Sequence, residues 1–163
     1  MIYVIDFDDT LFDRSGKFAK AAQKAGIVFK GELYEKSKIK GIYNPKKHLK
    51  LLGKKRQDLE KVLEQSQNFL LPGAIKKLKK LRKNNKLILL SKGDFWFHKQ
   101  KIKYSGLESL FDKIYITDNK LKIFREKIMS RYSQEKIVFI DDKKEELDEV
   151  KKVYAEIKTK NRL

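Results

Sequence analysis

The sequence contains no cysteine in 163 residues. That excludes disulfides, thiolate nucleophiles and zinc–cysteine sites, and it fits a cytosolic protein. No apolar run is long enough to cross a bilayer, and no basic-then-apolar leader precedes the first apolar stretch. A soluble, cytoplasmic chain without a membrane partner is therefore expected. Internal repeats and low-complexity tracts are missing, as is any concentrated arginine–aromatic tract of the kind that stacks single-stranded nucleic acid. Acidic residues are scarce beside basic ones, 22 against 40, which leaves a formal net charge of +18.

Such a charge can steer an anionic substrate or hold nucleic acid. All but six of the basic residues are lysine, however, and they are spread along the whole chain. Scattered lysine makes a solvated face more often than a binding patch, so nucleic acid is the less favoured partner. A hydrophobic fraction of 40% with 38% charged residues describes a globular protein, and the length suits one core domain with a small insertion.

Four short apolar runs stand out: Ile2 to Ile5, Leu87 to Leu90, Ile114 to Ile116 and Ile137 to Ile140. Each has strand length and is apolar throughout, as expected for strands buried on both faces of a parallel sheet. Helical stripes lie between and after them: Ile75, Leu78 and Leu81; Ile123, Phe124, Ile128 and Met129; Leu147, Val150 and Val153. This alternation predicts an α/β fold, a mostly parallel sheet flanked by helices. Residues 14–72 break the pattern. They hold helix-like spacing (Leu59, Val62, Leu63) and no convincing strand, and Pro72-Gly73 closes them with a turn signal. The expected organisation is an α/β core of residues 1–13 and 73–163 with a helical insertion over 14–72. The insertion carries 15 basic and 5 acidic residues, which makes it more basic per residue than the core.

The strand ends carry the chemistry. Asp6, Asp8 and Asp9 follow the first run, Ser91 follows the second, and Asp141 and Asp142 follow the last. In open parallel sheets, ligands bind outside the carboxyl ends of the strands. Carboxylates gathered there raise one another's pKa unless a cation intervenes. A hard Mg²⁺ takes one or two carboxylates together with waters and phosphate oxygens, which suits this set. The i, i+2 spacing of Asp6 and Asp8 allows one to attack as a nucleophile while the other moves a proton. An isolated DxD would be as well explained by a helix cap or an exposed turn; the matching acidic end of the last strand argues against that here.

These residues resemble the haloacid dehalogenase superfamily of phosphohydrolases. Asp6-Phe7-Asp8-Asp9-Thr10-Leu11 is similar to its first motif, LILLSKG with Ser91 to its second, a lysine ahead of a helix to its third, and VFIDD to its fourth. LPGAIKKLKKL and SGLESLFDKIYIT resemble the connecting text, so the likeness spans nearly the whole chain. The helical insertion matches the position of the family's C1-type cap. The resemblance implies a Rossmann-like core and a Mg²⁺-dependent phosphatase acting on a small phosphorylated metabolite. It implies Asp6 as nucleophile forming an aspartyl-phosphate, Asp8 as general acid and then base, and Ser91 on the transferring phosphoryl group. Mg²⁺ would be held by Asp6, the backbone carbonyl of Asp8, and Asp141 or Asp142. Thr10 would support the loop after the nucleophile and border the substrate. Dehalogenases and phosphonate-cleaving members lack the second aspartate, so Asp8 points to phosphate esters.

Lys120 and Lys122 both fit the third motif, Lys120 the better by its spacing to Phe124, which leaves Lys122 as a candidate substrate contact. Glu146 falls where the fourth motif carries its second acid. Lys92 beside Ser91 is a candidate phosphate contact. His48, His98 and the aromatic run Phe95 to Phe97 read more readily as packing or surface residues than as site residues. A nucleic-acid-directed phosphatase or binding module and a phosphomutase are the alternative functions.

Overall fold

The computed structural model describes residues 1–163, and in it every expected apolar run forms a strand. These are β1 (Ile2–Ile5), β2 (Lys86–Lys92), β3 (Lys113–Thr117) and β4 (Ile137–Ile140). A short β5 (Lys158–Lys160) joins beyond β4, giving one parallel sheet in the order β3-β2-β1-β4-β5. The Lys-Thr-Lys of β5 has no apolar signature. It is placed by pairing its backbone with Val138 to Ile140 and by the buried Ile157 just before it.

A helical segment separates β1 from β2. A π-helical turn at Arg14–Phe18 leads into α1 (Ala19–Lys24), followed by α2 (Glu32–Ser37), α3 (Pro45–Leu52), α4 (Arg56–Leu63) and α5 (Ala74–Arg82). Local chemistry sets several of these ends. For α3, Asn44 caps the first turn by accepting from the Lys47 N–H, Pro45 occupies the first helical position, and Gly53 closes the last turn at φ 63°. Beyond β2 comes α6 (Phe95–Ser105). After β3, α7 (Lys120–Ile123) continues through a π-helical stretch Phe124–Met129 into α8 (Ser130–Tyr132), and α9 (Lys144–Val153) follows β4. No helix is long and apolar enough to cross a membrane.

Strand residues alternate between two apolar clusters, as the pleat requires. Ile2, Val4, Ile88, Leu90 and Phe139 face Phe124, Ile128, Leu147 and Val150. Ile5, Leu87, Leu89, Val138 and Ile140 face the other way, toward Leu78 of α5 and Phe97 and Ile102 of α6. That second cluster runs on without a break into Phe18, Tyr43, Leu49, Leu59 and Val62 of the helical segment. The buried stripe of α5 is Ala74 and Leu78 rather than one through Ile75, which is 37% exposed. Spacing of four keeps residues on one helix face, where repeated spacing of three drifts off it. Val153 is likewise exposed, at the end of α9.

Candidate active site

The sheet order reverses at β1, whose neighbours are β2 on one side and β4 on the other, and this opens a crevice at their carboxyl ends. Asp6 donates its backbone N–H to the Ile140 carbonyl at 2.9 Å, continuing the ladder one step past the strand. That brings Asp6 beside Asp141. Between them stands Lys120, which begins α7 behind an Asn119 cap. Its Nζ donates to Asp6 Oδ1 and to Asp141 Oδ2, each at 2.6 Å. Carboxylate oxygens of Asp6, Asp141 and Asp142 lie within 4.8 Å of one another. Burial pushes the Asp6 carboxyl up to about 7, with Lys120 opposing the rise and Asp141 reinforcing it. For Lys120, burial works against the charge, but Asp6 and Asp141 outweigh it and hold the ammonium above the usual lysine value. Burial and the neighbouring Asp141 raise Asp142.

The second aspartate is held separately. Both carboxylate oxygens of Asp8 accept from Lys101 Nζ, at 2.5 and 2.6 Å. Lys101 is completely enclosed, its ammonium 4.5 Å from the Phe97 ring centre, with the rings of Phe7 and Phe12 also around it. Burial depresses the Lys101 pKa despite the attraction of Asp8. Burial acts to raise Asp8, but the charges of Lys101 and Arg14 outweigh it and keep the carboxyl below the usual range.

His98 sits between this pair and Ser91. Its Nδ1 lies 2.7 Å from Ser91 Oγ and its Nε2 3.8 Å from Asp8 Oδ2. Burial, reinforced by the charge on Lys101, lowers the His98 pKa to about 3, so the ring is neutral. Gly93 makes room for it: a Cβ there would clash with the Nε2 edge of the imidazole. Asp94 caps α6 by accepting from the Phe97 N–H at 2.8 Å, which fixes the rotation that turns Phe97, His98 and Lys101 inward.

A pocket of about 460 Å³ opens over these groups. Asp6, Asp8, Ser91, Lys92, Lys120 and Asp142 line it. Asp141 stands directly behind, fully buried. Lys92 is paired with Glu146 at 2.7 Å. Thr10 and Lys122, expected at the substrate, lie elsewhere. Thr10 is buried under the loop, its Oγ1 accepting from the Asp142 N–H at 3.1 Å, so it latches the ends of β1 and β4 together. Lys122 is exposed on α7 and does not reach the pocket, because only the first residue of that helix faces the crevice. The opposite wall comes from the helical segment: Arg14, Tyr34, Lys38 and Tyr43. His48 packs under that wall, its Nδ1 3.2 Å from the Tyr43 hydroxyl.

Sequence reasoning passed over Lys101, Arg14, Tyr34 and Tyr43, and it set His98 aside as a packing or surface residue although the ring lines the pocket. For Lys101 a signal existed. It lies on the stripe Phe97, His98, Lys101, Ile102 and Ser105, the buried face of α6, and a lysine at a core-facing position needs a partner. Phe97, read as packing, both packs and borders the pocket.

The donor set suits a hard divalent cation. All its ligand atoms are oxygens, and three carboxylates against one ammonium leave negative charge in excess.

No protein-family model matches the chain, and no curated protein matches it. Solved structures do. A protein described as a haloacid dehalogenase-like hydrolase from Burkholderia xenovorans aligns over 97% of this chain and 80% of its own, at 23% identity and a TM-score of 0.76. A haloacid dehalogenase family enzyme from Bacteroides thetaiotaomicron, in complex with magnesium and inorganic phosphate, aligns over 98% and 92% at 19% identity and a TM-score of 0.63. A protein described as a β-phosphoglucomutase from Thermotoga maritima aligns over 96% and 83% at 18% identity and a TM-score of 0.60. With a five-stranded parallel sheet and acids at the ends of its central strands, the chain has the fold of the haloacid dehalogenase-like hydrolases.

Proposed function

We propose that the protein is a Mg²⁺-dependent phosphatase that hydrolyses a small phosphorylated metabolite through an aspartyl-phosphate on Asp6. The observation that carries this reading is the buried cluster of Asp6, Lys120 and Asp141, with Asp142 beside it and Ser91 and Asp8 on the same pocket wall. The magnesium- and phosphate-bound relative of the same fold supports it.

Asp6, the Asp8 carbonyl and Asp142 would hold the metal. When bound, it supplies positive charge to the phosphate oxygens and to the nucleophile. Lys120 fixes the orientation of Asp6 and offsets charge that builds in the transition state. A carboxylate oxygen of Asp6 attacks phosphorus as the bond to the leaving oxygen breaks, and Asp8 delivers a proton to that oxygen. Asp8 then takes a proton from water, which attacks phosphorus, frees phosphate and restores Asp6. Lys101 holds Asp8 ionised in the free protein; an incoming phosphate anion raises its proton affinity, as like charge does. Ser91, oriented by His98, hydrogen-bonds the phosphoryl oxygens. We assign residues 14–72 as the cap that roofs the pocket and excludes water.

The test is hydrolysis of a generic aryl phosphate with and without Mg²⁺, comparing wild type with Asp6→Asn. Metal-dependent turnover lost in the variant is the expected result; turnover indifferent to either change would refute the assignment. The fold shared with a protein described as a β-phosphoglucomutase favours phosphoryl transfer to a second sugar position as the alternative. A requirement for a bisphosphate activator distinguishes it.

A further inference from the structure

Ion pairing inside the pocket leaves one half-buried cation without a carboxylate. Lys120 is held by Asp6 and Asp141, Lys101 by Asp8, Lys92 by Glu146 and Lys38 by Glu35. Asp9, on the adjoining loop, is engaged by the N–H and hydroxyl of Ser15. Lys143 also borders the pocket but stands in solvent. Arg14 is different: it is half-buried, and no carboxylate oxygen lies within 4.0 Å of it. Its polar partner is the Tyr34 hydroxyl at 2.7 Å. The rings of Phe29 and Tyr34, centred 5.7 and 5.8 Å from its guanidinium carbon, pack around it.

Burial opposes the charge on Arg14, but the Tyr34 hydroxyl and the longer-range fields of Asp8 and Asp9 outweigh it, so the guanidinium stays charged with no carboxylate in its fork. Its planar fork suits a carboxylate or phosphate, gripped through two N–H donors. Its position says which part of a substrate it meets. Arg14 stands with Tyr34 and Tyr43 on the wall opposite the Asp6–Lys120–Asp141 cluster, and its charge reaches Asp8 and His98. In the mechanism above Asp8 serves the leaving oxygen, so Arg14 faces the leaving group and not the phosphoryl group.

We propose that Arg14, together with the Tyr34 hydroxyl, binds a second oxyanion carried by the leaving group. The substrates are then small phosphate monoesters whose carbon skeleton bears a carboxylate or a second phosphate. This rests on the phosphatase reading. Tyr43 and Phe97 supply the wall for that skeleton, and the pocket volume of about 460 Å³ admits a small molecule rather than a polymer.

A three-carbon series tests it: 1,3-propanediol monophosphate, 3-phosphooxypropanoate and 1,3-propanediol bisphosphate. Each is titrated by calorimetry in Mg²⁺ against Asp6→Asn, which does not turn over, and against Asp6→Asn with Arg14→Gln or Arg14→Lys. One anionic ester should bind about 10- to 100-fold tighter than the neutral-tailed one, the range of a charged hydrogen-bond pair. Arg14→Gln should erase most of that preference and Arg14→Lys should retain part of it. Which ester gains distinguishes carboxylate from phosphate. Equal affinity for all three, no binding of any, or a preference that survives Arg14→Gln overturns the subsite. Hydrolysis by the wild type is read separately. A binding preference without turnover refutes the phosphatase and keeps the subsite, while equal kcat/KM for all three esters does the reverse.

Discussion

The Asp8–Lys101 pair should be strongly asymmetric toward truncation. Lys101 has 0% side-chain exposure, whereas Asp8 retains 21% and faces the pocket. Removing one member of a buried pair costs about 3–5 kcal/mol because the other is left uncompensated. In Asp8→Ala the stranded group is the enclosed ammonium. The surrounding rings of Phe7, Phe12 and Phe97 hold the ammonium in both proteins and so do not offset this loss. At about 2–4 °C per kcal/mol for a domain of this size, Tm should fall by about 6–20 °C. In Lys101→Met the stranded group is a carboxylate that can hydrate through the pocket, and the methionine enters a cage of Phe7, Phe12 and Phe97. Its net effect should stay within about 1 kcal/mol, because the carboxylate left behind regains water and is not an uncompensated buried charge. The double variant should recover most of the Asp8→Ala loss. Urea melts of the four proteins complete the double-mutant cycle. Equal losses in the two single variants, or additivity in the double, would refute the reasoning.

Two further outcomes follow from the same wall of the pocket. The folded protein keeps His98 neutral down to about pH 3, while the unfolded chain takes up a proton below about pH 6.5. More protons bound in the unfolded state means that stability falls as pH drops below 6.5, by about 2 kcal/mol at pH 5 from this residue. Asp6, raised by burial to about 7, acts in the opposite sense over the same range. The difference between wild type and His98→Asn therefore isolates the histidine, and a difference that does not change between pH 7.5 and 5 would contradict its burial as a neutral ring. Gly93→Ala should cost about 2–4 kcal/mol, from overpacking against His98 and from a backbone at φ 156° that side chains rarely adopt. Gly106→Ala, with a positive φ but open space around it, should cost about 1 kcal/mol, and thermal melts showing the same loss at both positions would remove the steric account.

The readable and unreadable parts of this molecule divide by the kind of signal that each residue leaves in its neighbours. Ile2 to Ile5 and Ile137 to Ile140 announce buried parallel strands because burial on both faces demands an unbroken apolar run. Asp6 and Asp141 announce a site because carboxylates at the ends of such strands have no structural purpose. The partners of those acids leave no comparable trace. Lys120 lies 114 residues from Asp6, and Lys101 lies 93 residues from Asp8. In a chain where lysine dominates every surface, neither stands out by type. What distinguishes Lys101 is its place on the apolar face of α6, a pattern visible once that helix is drawn with its Asp94 cap. Lys120 and Lys122 could be ranked only by spacing, because the choice turns on which residue of a short helix meets the crevice. β5 was illegible for the opposite reason. Its Lys-Thr-Lys is held by backbone pairing that no side chain reports. The crowded acids at the end of β1 are therefore tolerated in two separate ways. Asp6 shares an ammonium with Asp141, and Asp8 has one of its own, enclosed by aromatic rings. In the proposed mechanism that separation lets one carboxylate work on phosphorus while its neighbour two residues away handles protons, and it is why the truncation cycle at Asp8 and Lys101 bears on that proposal as well as on stability.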